Sequence, residues 1–171
     1  MTILIRDAHE HEIDAISALL TAAYHQYMPE VTGLTDVAEE FEAYRVEIAD
    51  VRSRWDDTVQ IVAVDDEEVV GSVTYFAPNT AGDNHDMPRP WAGIRLLGVA
   101  PQGRGRGIGR MLTDECITRA RKAGAPMIGL HTTTLMDVAR AMYVRMGFER
   151  APQYDFYPAP DFCVEAYRLD L

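Results

Sequence analysis

Residues 93–110, GIRLLGVAPQGRGRGIGR, join an apolar run of strand length to four glycines at alternate positions, Gly103, Gly105, Gly107 and Gly109. An amphipathic stretch follows, in which Ile108, Leu112, Cys116 and Ala120 recur at four-residue steps, and then a second apolar run, PMIGLHT at 126–132. Strand, tight turn, helix and strand in that order make the two strands parallel, because the helix carries the chain back to the starting end of the sheet. A second helix is predicted in DVARAMYVRMG at 137–147 and a closing strand in FCVEAYRLDL at 162–171. Gly124 and Gly147 stand where helices end.

The first half reads as antiparallel. VQIVAV at 59–64 and VVGSVTYF at 69–76 flank the acidic turn DDEE and predict a hairpin. TILIR at 2–6 predicts a first strand. Asp7 and Glu10 then have capping-box spacing before a helix carrying Ile13, Ile16, Leu20 and Ala23. A further helix is predicted from Asp36, with Val37, Phe41, Tyr44, Ile48, Val51 and Trp55 on one face. The turn-forming run APNTAGDNHDMPRP at 77–90 is too long for a simple connection and is expected to cover part of the molecule. Together these elements predict one α/β domain over residues 1–171, a mixed sheet containing a parallel pair, with helices on both faces.

A net charge of -11, with acids dispersed along the chain, repels phosphate backbones and argues against a nucleic-acid partner. No apolar run approaches the ~18 residues of a membrane span, and no N-terminal apolar run resembles a signal peptide. A cytoplasmic location is therefore expected. The two cysteines, Cys116 and Cys163, form no Cys-x-x-Cys motif, and His9 and His11 lack a third ligand nearby, so no metal is expected. Cys116 lies on the apolar side of its predicted helix and reads as core.

Alternating glycines let main-chain amides approach a ligand, and the helix that follows presents unpaired N–H groups and a positive dipole end. Arg104, Arg106 and Arg110 add charge, so the turn is an anion site. Which anion follows from spacing. The dinucleotide fingerprint Gly-x-Gly-x-x-Gly fails from Gly103, where Ile108 falls sixth, and from Gly105, where Arg110 does. The phosphate-binding Gly-x-x-x-x-Gly-Lys is absent. What fits is Arg-x-x-Gly-x-Gly at Arg104, Gly107 and Gly109, after a strand ending in VAP. This resembles the acetyl-CoA signature of the Gcn5-related N-acetyltransferase superfamily. ARAMYVRMGFER resembles its second motif, with Ala139, Met142, Tyr143, Gly147 and Phe148 at the corresponding positions.

The resemblance implies a mostly antiparallel sheet whose parallel strand pair splays at a bulge, with Gly98 as the bulge residue. It implies a pyrophosphate held by the main chain of Arg104, Gly105, Arg106, Gly107, Ile108, Gly109 and Arg110, and a pantetheine arm lying along Leu97, Gly98 and Val99. It implies acetyl-CoA as co-substrate and direct acetyl transfer to an amine of a small molecule or peptide. Tyr143 would then donate to the leaving thiolate, and an amide near Gly98 or Val99 would face the carbonyl oxygen. Tyr24, Tyr27 and His131 are expected at the acceptor pocket. Many relatives carry a Glu on the strand before the turn, but WAGIRLLGVAP has no acid. The base is left open among Asp83, His85, Asp86, Glu30 and a water chain. Met136 replaces a common cofactor-contacting Asn, beside an Asp137 read as a helix cap. A non-catalytic CoA-binding sensor is the alternative, and the final strand is expected to be open to a second copy.

Overall fold

Strand β2 (Val59–Asp65) and strand β3 (Glu68–Phe76) form the hairpin announced by DDEE. Asp66 and Glu67 take φ of 45° and 71°, the left-handed geometry that a two-residue hairpin turn requires at both central positions. The structure is a computed structural model and describes residues 2–80 and 86–171. Strand β1 (Leu4–Asp7) pairs outside β2, and β4 (Ala92–Val99) pairs with β3, both antiparallel. β5 (Met127–Thr132) runs parallel to β4, and β8 (Phe162–Asp170) runs antiparallel to β5. The two short strands β6 (Glu149–Arg150) and β7 (Phe156–Ala159) both pair with β8.

The period-two alternation of β2 divides the core. Ile61 and Ala63 pack with Ile108, Leu112 and Cys116 of α4 (Ile108–Lys122) and with Tyr143 of α5 (Asp137–Arg145). Val62 and Val64 face the other way, onto Ile16 and Leu20 of α1 (Ile13–Tyr24) and Ile48 of α3 (Ala38–Ala49). Helices therefore cover both faces of a mixed, mostly antiparallel sheet. Between α1 and α3 lies the four-residue helix α2 (Pro29–Thr32), which ends at Gly33 in the left-handed region.

Four local expectations need correction. Asp7 is the last residue of β1, paired with Ile61, and Glu10 bonds Arg52 at 2.6 Å. The carboxylate that reaches back across the helix start is Glu12, which accepts from the His9 N–H at 2.7 Å. The predicted single helix after Asp36 stops at Ala49. Val51 stays fully buried in the cluster with Ile16 and Ile48, while the Arg54 guanidinium donates to the carbonyls of Glu47, Ile48 and Asp50, filling acceptors that the helix end leaves open. Asp137 opens α5 and pairs with Arg140 at 3.0 Å, so Met136 stands at the cap position without a side-chain bond. The final strand is interior to the strand order: β5 pairs with Glu165–Asp170 of β8, β6 with Tyr167 and Arg168, and β7 with Phe162 and Val164, so β8 is not the edge strand among the described residues. Of the long turn-forming run, Met87 is buried and packs with Trp91, Ala151 and Ala166 against the β5–β8 end of the sheet; Asp83 and His85 lie outside the described residues.

The helix-start clamp carries a testable pH dependence. Arg6 bonds both Glu12 oxygens at 2.7 and 2.8 Å, which with the His9 amide holds the Glu12 carboxyl down at about 2. Because the folded value lies below the unfolded one, the contribution is present above pH ~4.3 and is lost as pH falls toward 2. Glu12→Gln is expected to cost on the order of 2 kcal/mol at pH 7 in urea unfolding, with the deficit shrinking toward pH 3. A deficit independent of pH would contradict the assignment.

Candidate active site

The glycine turn owes its shape to two residues. Gly105 and Gly107 both hold φ of 76°, and nothing lies within 4 Å of where a Cβ would stand on either. Their lack of a side chain answers a backbone requirement and leaves the outer side of the turn open. Gly103 differs: a Cβ there would press on Ile108 Cδ1 at 3.1 Å and Val99 Cγ1 at 3.2 Å, so it allows the turn to lie close against β4. Gly107 caps α4 with no side-chain bond, and the first N–H groups of a 15-residue helix are thus presented beside the open turn with the positive end of its dipole. Of the three arginines, Arg106 bonds Asp65 at 2.7 Å and tethers the turn to the end of β2. Arg110 lies 3.6 Å from Asp114, and Arg104 is exposed.

Strands β4 and β5 part beside this turn. Their parallel register runs Ala92–Ile128, Gly93–Gly129 and Ile94–Leu130, and stops there although both strands continue. On the other side of β4, Thr74 pairs with Arg95 and Ser72 with Gly98, two steps on β3 against three on β4. The extra residue is the bulge, and Leu96 carries its strain at φ 51°. The bulge is therefore at Leu96 and not at Gly98. A Cβ on Gly98 would stand 2.8 Å from Leu20 Cδ2 and 3.3 Å from Ala23 Cβ, so this glycine lets α1 approach the strand closely. Beyond Ile94 the β5-facing side of β4 is left without a parallel ladder, an edge that an extended amide-bearing arm fits.

Tyr24, Tyr27, His131 and Tyr143 come together around the opening, with Arg95, Leu96, Leu97 and Met136. Tyr143 is 5% exposed and meets Phe148 edge to face at 5.6 Å, and its burial raises the phenol well above the ordinary range. Tyr24 ends α1 and sits between Tyr27 and Tyr44, with ring centres 6.0 and 5.9 Å away. Burial pushes Tyr44 up to about 12. His131 Nε2 lies 2.9 Å from the Tyr154 carbonyl, which only accepts, so Nε2 carries the proton. Burial also lowers the His131 pKa, keeping the ring neutral near pH 7. The opening widens into a chamber of about 280 Å³ between α3 and the C-terminal strands.

Inside this chamber the structure places a pair that the linear pattern did not single out, Arg95 of β4 bonded to Glu47 of α3. They are 48 residues apart, and only the docking of α3 on the sheet brings them together. Glu30 is elsewhere, bonded to Arg45 at 2.9 Å, and Asp86 is exposed. Cys116 is fully buried, and its thiol is pushed far up by that burial, so it is no nucleophile. Among the described residues no group of His, Cys, Asp and Glu is arranged to hold a metal, and no helix is long and apolar enough to cross a membrane.

A helix without a side-chain cap thus stands behind the glycine turn, next to a splayed parallel pair and a buried tyrosine. The model of the acetyltransferase (GNAT) family matches residues 16–148, and the chain belongs to that family as an acetyltransferase. YhbS, an uncharacterized N-acetyltransferase of Escherichia coli strain K12, is 28% identical over 145 residues, 82% of this chain and 81% of that protein. A mycothiol acetyltransferase of Propionibacterium freudenreichii is 31% identical over 103 residues, 58% of this chain and 32% of that one. The PaiA N-acetyltransferase of Thermoplasma acidophilum, crystallised with coenzyme A, superposes with a TM-score of 0.70 at 15% identity, covering 100% of both chains. A GNAT acetyltransferase of Brucella melitensis, crystallised with acetyl-CoA, superposes at 0.59 with 22% identity, covering 99% of this chain and 88% of that one.

Proposed function

We propose that the protein transfers the acetyl group of acetyl-CoA directly to a primary amine of a small molecule or peptide, both substrates being bound at once. The observation that carries this reading is the parting of β4 from β5 beyond Ile94, with Tyr143 on one side and the chamber on the other. Main-chain amides of Arg104 to Arg110 hold the pyrophosphate at the start of α4, and Arg106, already bonded to Asp65, keeps the turn in place. The edge of β4 at Leu97, Gly98 and Val99 receives the pantetheine amides, and a strand amide there steadies the carbonyl oxygen as it gains charge. Acetyl-CoA supplies an activated acetyl group whose C–S bond breaks as the C–N bond forms, the electron pair leaving on sulfur.

Tyr143 gives a hydrogen bond to the sulfur as negative charge develops. A phenol raised above its ordinary ~10 holds its proton against a thiolate of ~8.5, so the bond stabilises charge and the thiolate's own proton comes from solvent afterwards. Among the described residues, the neutral ring of His131 lines the cleft, its Nδ1 buried, and the ammonium proton leaves past it through water. Two-substrate initial rates test direct transfer. Intersecting double-reciprocal lines, with Cys116→Ala keeping kcat within about two-fold, are expected for a ternary complex. Parallel lines would point to an acyl-enzyme and against this reading.

A further inference from the structure

Granting acetyl transfer, which is the reading above, the chamber narrows the class of amine. Phe41 and Phe162 meet edge to face at 5.4 Å on one side, Tyr24 and Tyr44 at 5.9 Å on another, and Phe156 completes the wall. At about 280 Å³ the chamber falls just below the ~300–1,000 Å³ of pockets that hold drug-sized ligands. One ring on a short arm fits such a space, and the mainly apolar lining gives a multi-ring amino sugar few partners for its hydroxyls.

Charge narrows the class further. Among the described lining residues, Glu40 and Glu47 face the chamber against one cation, Arg95, which Glu47 already engages. An incoming ammonium is drawn by both carboxylates and by the tyrosine faces. An incoming carboxylate meets the like charge of Glu40 and Glu47, and the Arg95 guanidinium that would attract it is already bonded to Glu47. With Glu47 bonded to Arg95, a polyamine's second and third ammonium groups would meet Phe41, Phe156 and Phe162 in place of further carboxylates among the described lining residues. We propose that the acceptor is a small arylalkyl monoamine, a primary amine on a short chain bearing one apolar ring and no carboxylate beside the nitrogen. The reaction then converts the ammonium and acetyl-CoA into the N-acetyl amide, free CoA thiol and one proton.

The test compares kcat/KM for 2-phenylethylamine with values for phenylalanine, spermidine, an aminoglycoside and a short peptide N-terminus, and measures 2-phenylethylamine binding to the CoA-saturated protein by calorimetry. 2-Phenylethylamine is expected to exceed each of the others by at least about ten-fold. Phe162→Ala should weaken its calorimetric affinity by about ten-fold with CoA affinity unchanged. Glu47→Gln removes one of the two negative charges that face the chamber, and should cut the preference for 2-phenylethylamine over phenylalanine by about ten-fold. Preferred turnover of any of the other four, or calorimetric affinity untouched by Phe162→Ala, overturns the proposal while leaving acetyl transfer standing. CoA binding without thiol release on all five amines overturns both.

Discussion

Tyr143→Phe is expected to lower kcat by about 100-fold while the KM for acetyl-CoA stays within about two-fold. The substitution removes only the hydroxyl. The ring stays packed edge to face on Phe148 and within the buried cluster of α4 and the sheet, so melting should move little. What is lost is the hydrogen bond to a sulfur that becomes charged only as the C–S bond breaks, which lowers kcat and kcat/KM together and leaves ground-state binding intact. The pH profile adds an independent sign. Because burial raises the phenol, its ionisation contributes no fall in wild-type kcat up to pH ~10. Steady-state rates from pH 6 to 10 on both proteins check this, and equal kcat values would remove Tyr143 from the chemistry.

Gly107→Val is expected to raise the KM for acetyl-CoA at least ten-fold with a much smaller change in kcat. A β-branched residue at φ of 76° costs about 1–3 kcal/mol, and the turn relieves that strain by swinging the first N–H groups of α4 out of line. The same helix supplies its own control. Gly124 follows its C-terminal end at φ of 72°, also with nothing within 4 Å of a Cβ position. Gly124→Val therefore introduces comparable strain far from the turn. The two variants should lose similar stability by thermal melting, and only Gly107→Val should weaken CoA binding in calorimetry. If both weaken it equally, general destabilisation is the cause and the turn is not the anion site.

The parts of this molecule that were readable in the linear chain are those written locally. The glycine turn announces itself because left-handed backbone at Gly105 and Gly107 demands glycine, and the order of strand, helix and strand requires the parallel pair of β4 and β5. Tyr143 is legible through its spacing to Gly147 and Phe148. The bulge is not, since Leu96 adopts positive φ without being glycine, and its place is set by how β4 registers on β3. Gly98 attracted the bulge assignment because a glycine in a strand signals either a bulge or a close approach, and here α1 packing decides for the latter. β7 escaped notice because Pro158 interrupts a four-residue strand. The Arg95–Glu47 pair and the aromatic walls of the chamber depend on the docking of α3 and β8 from opposite ends of the chain, which no local periodicity encodes.

Acetyl transfer to an amine is the claim on which the rest depends, and thiol release from acetyl-CoA in the presence of an amine panel, with the amide counted by mass, tests it most directly. The account predicts one acetylated amine per thiol released, at a rate that depends on the amine and falls in Tyr143→Phe. Tight CoA binding with thiol release no faster than in amine-free buffer would contradict it and leave a CoA-binding module in its place.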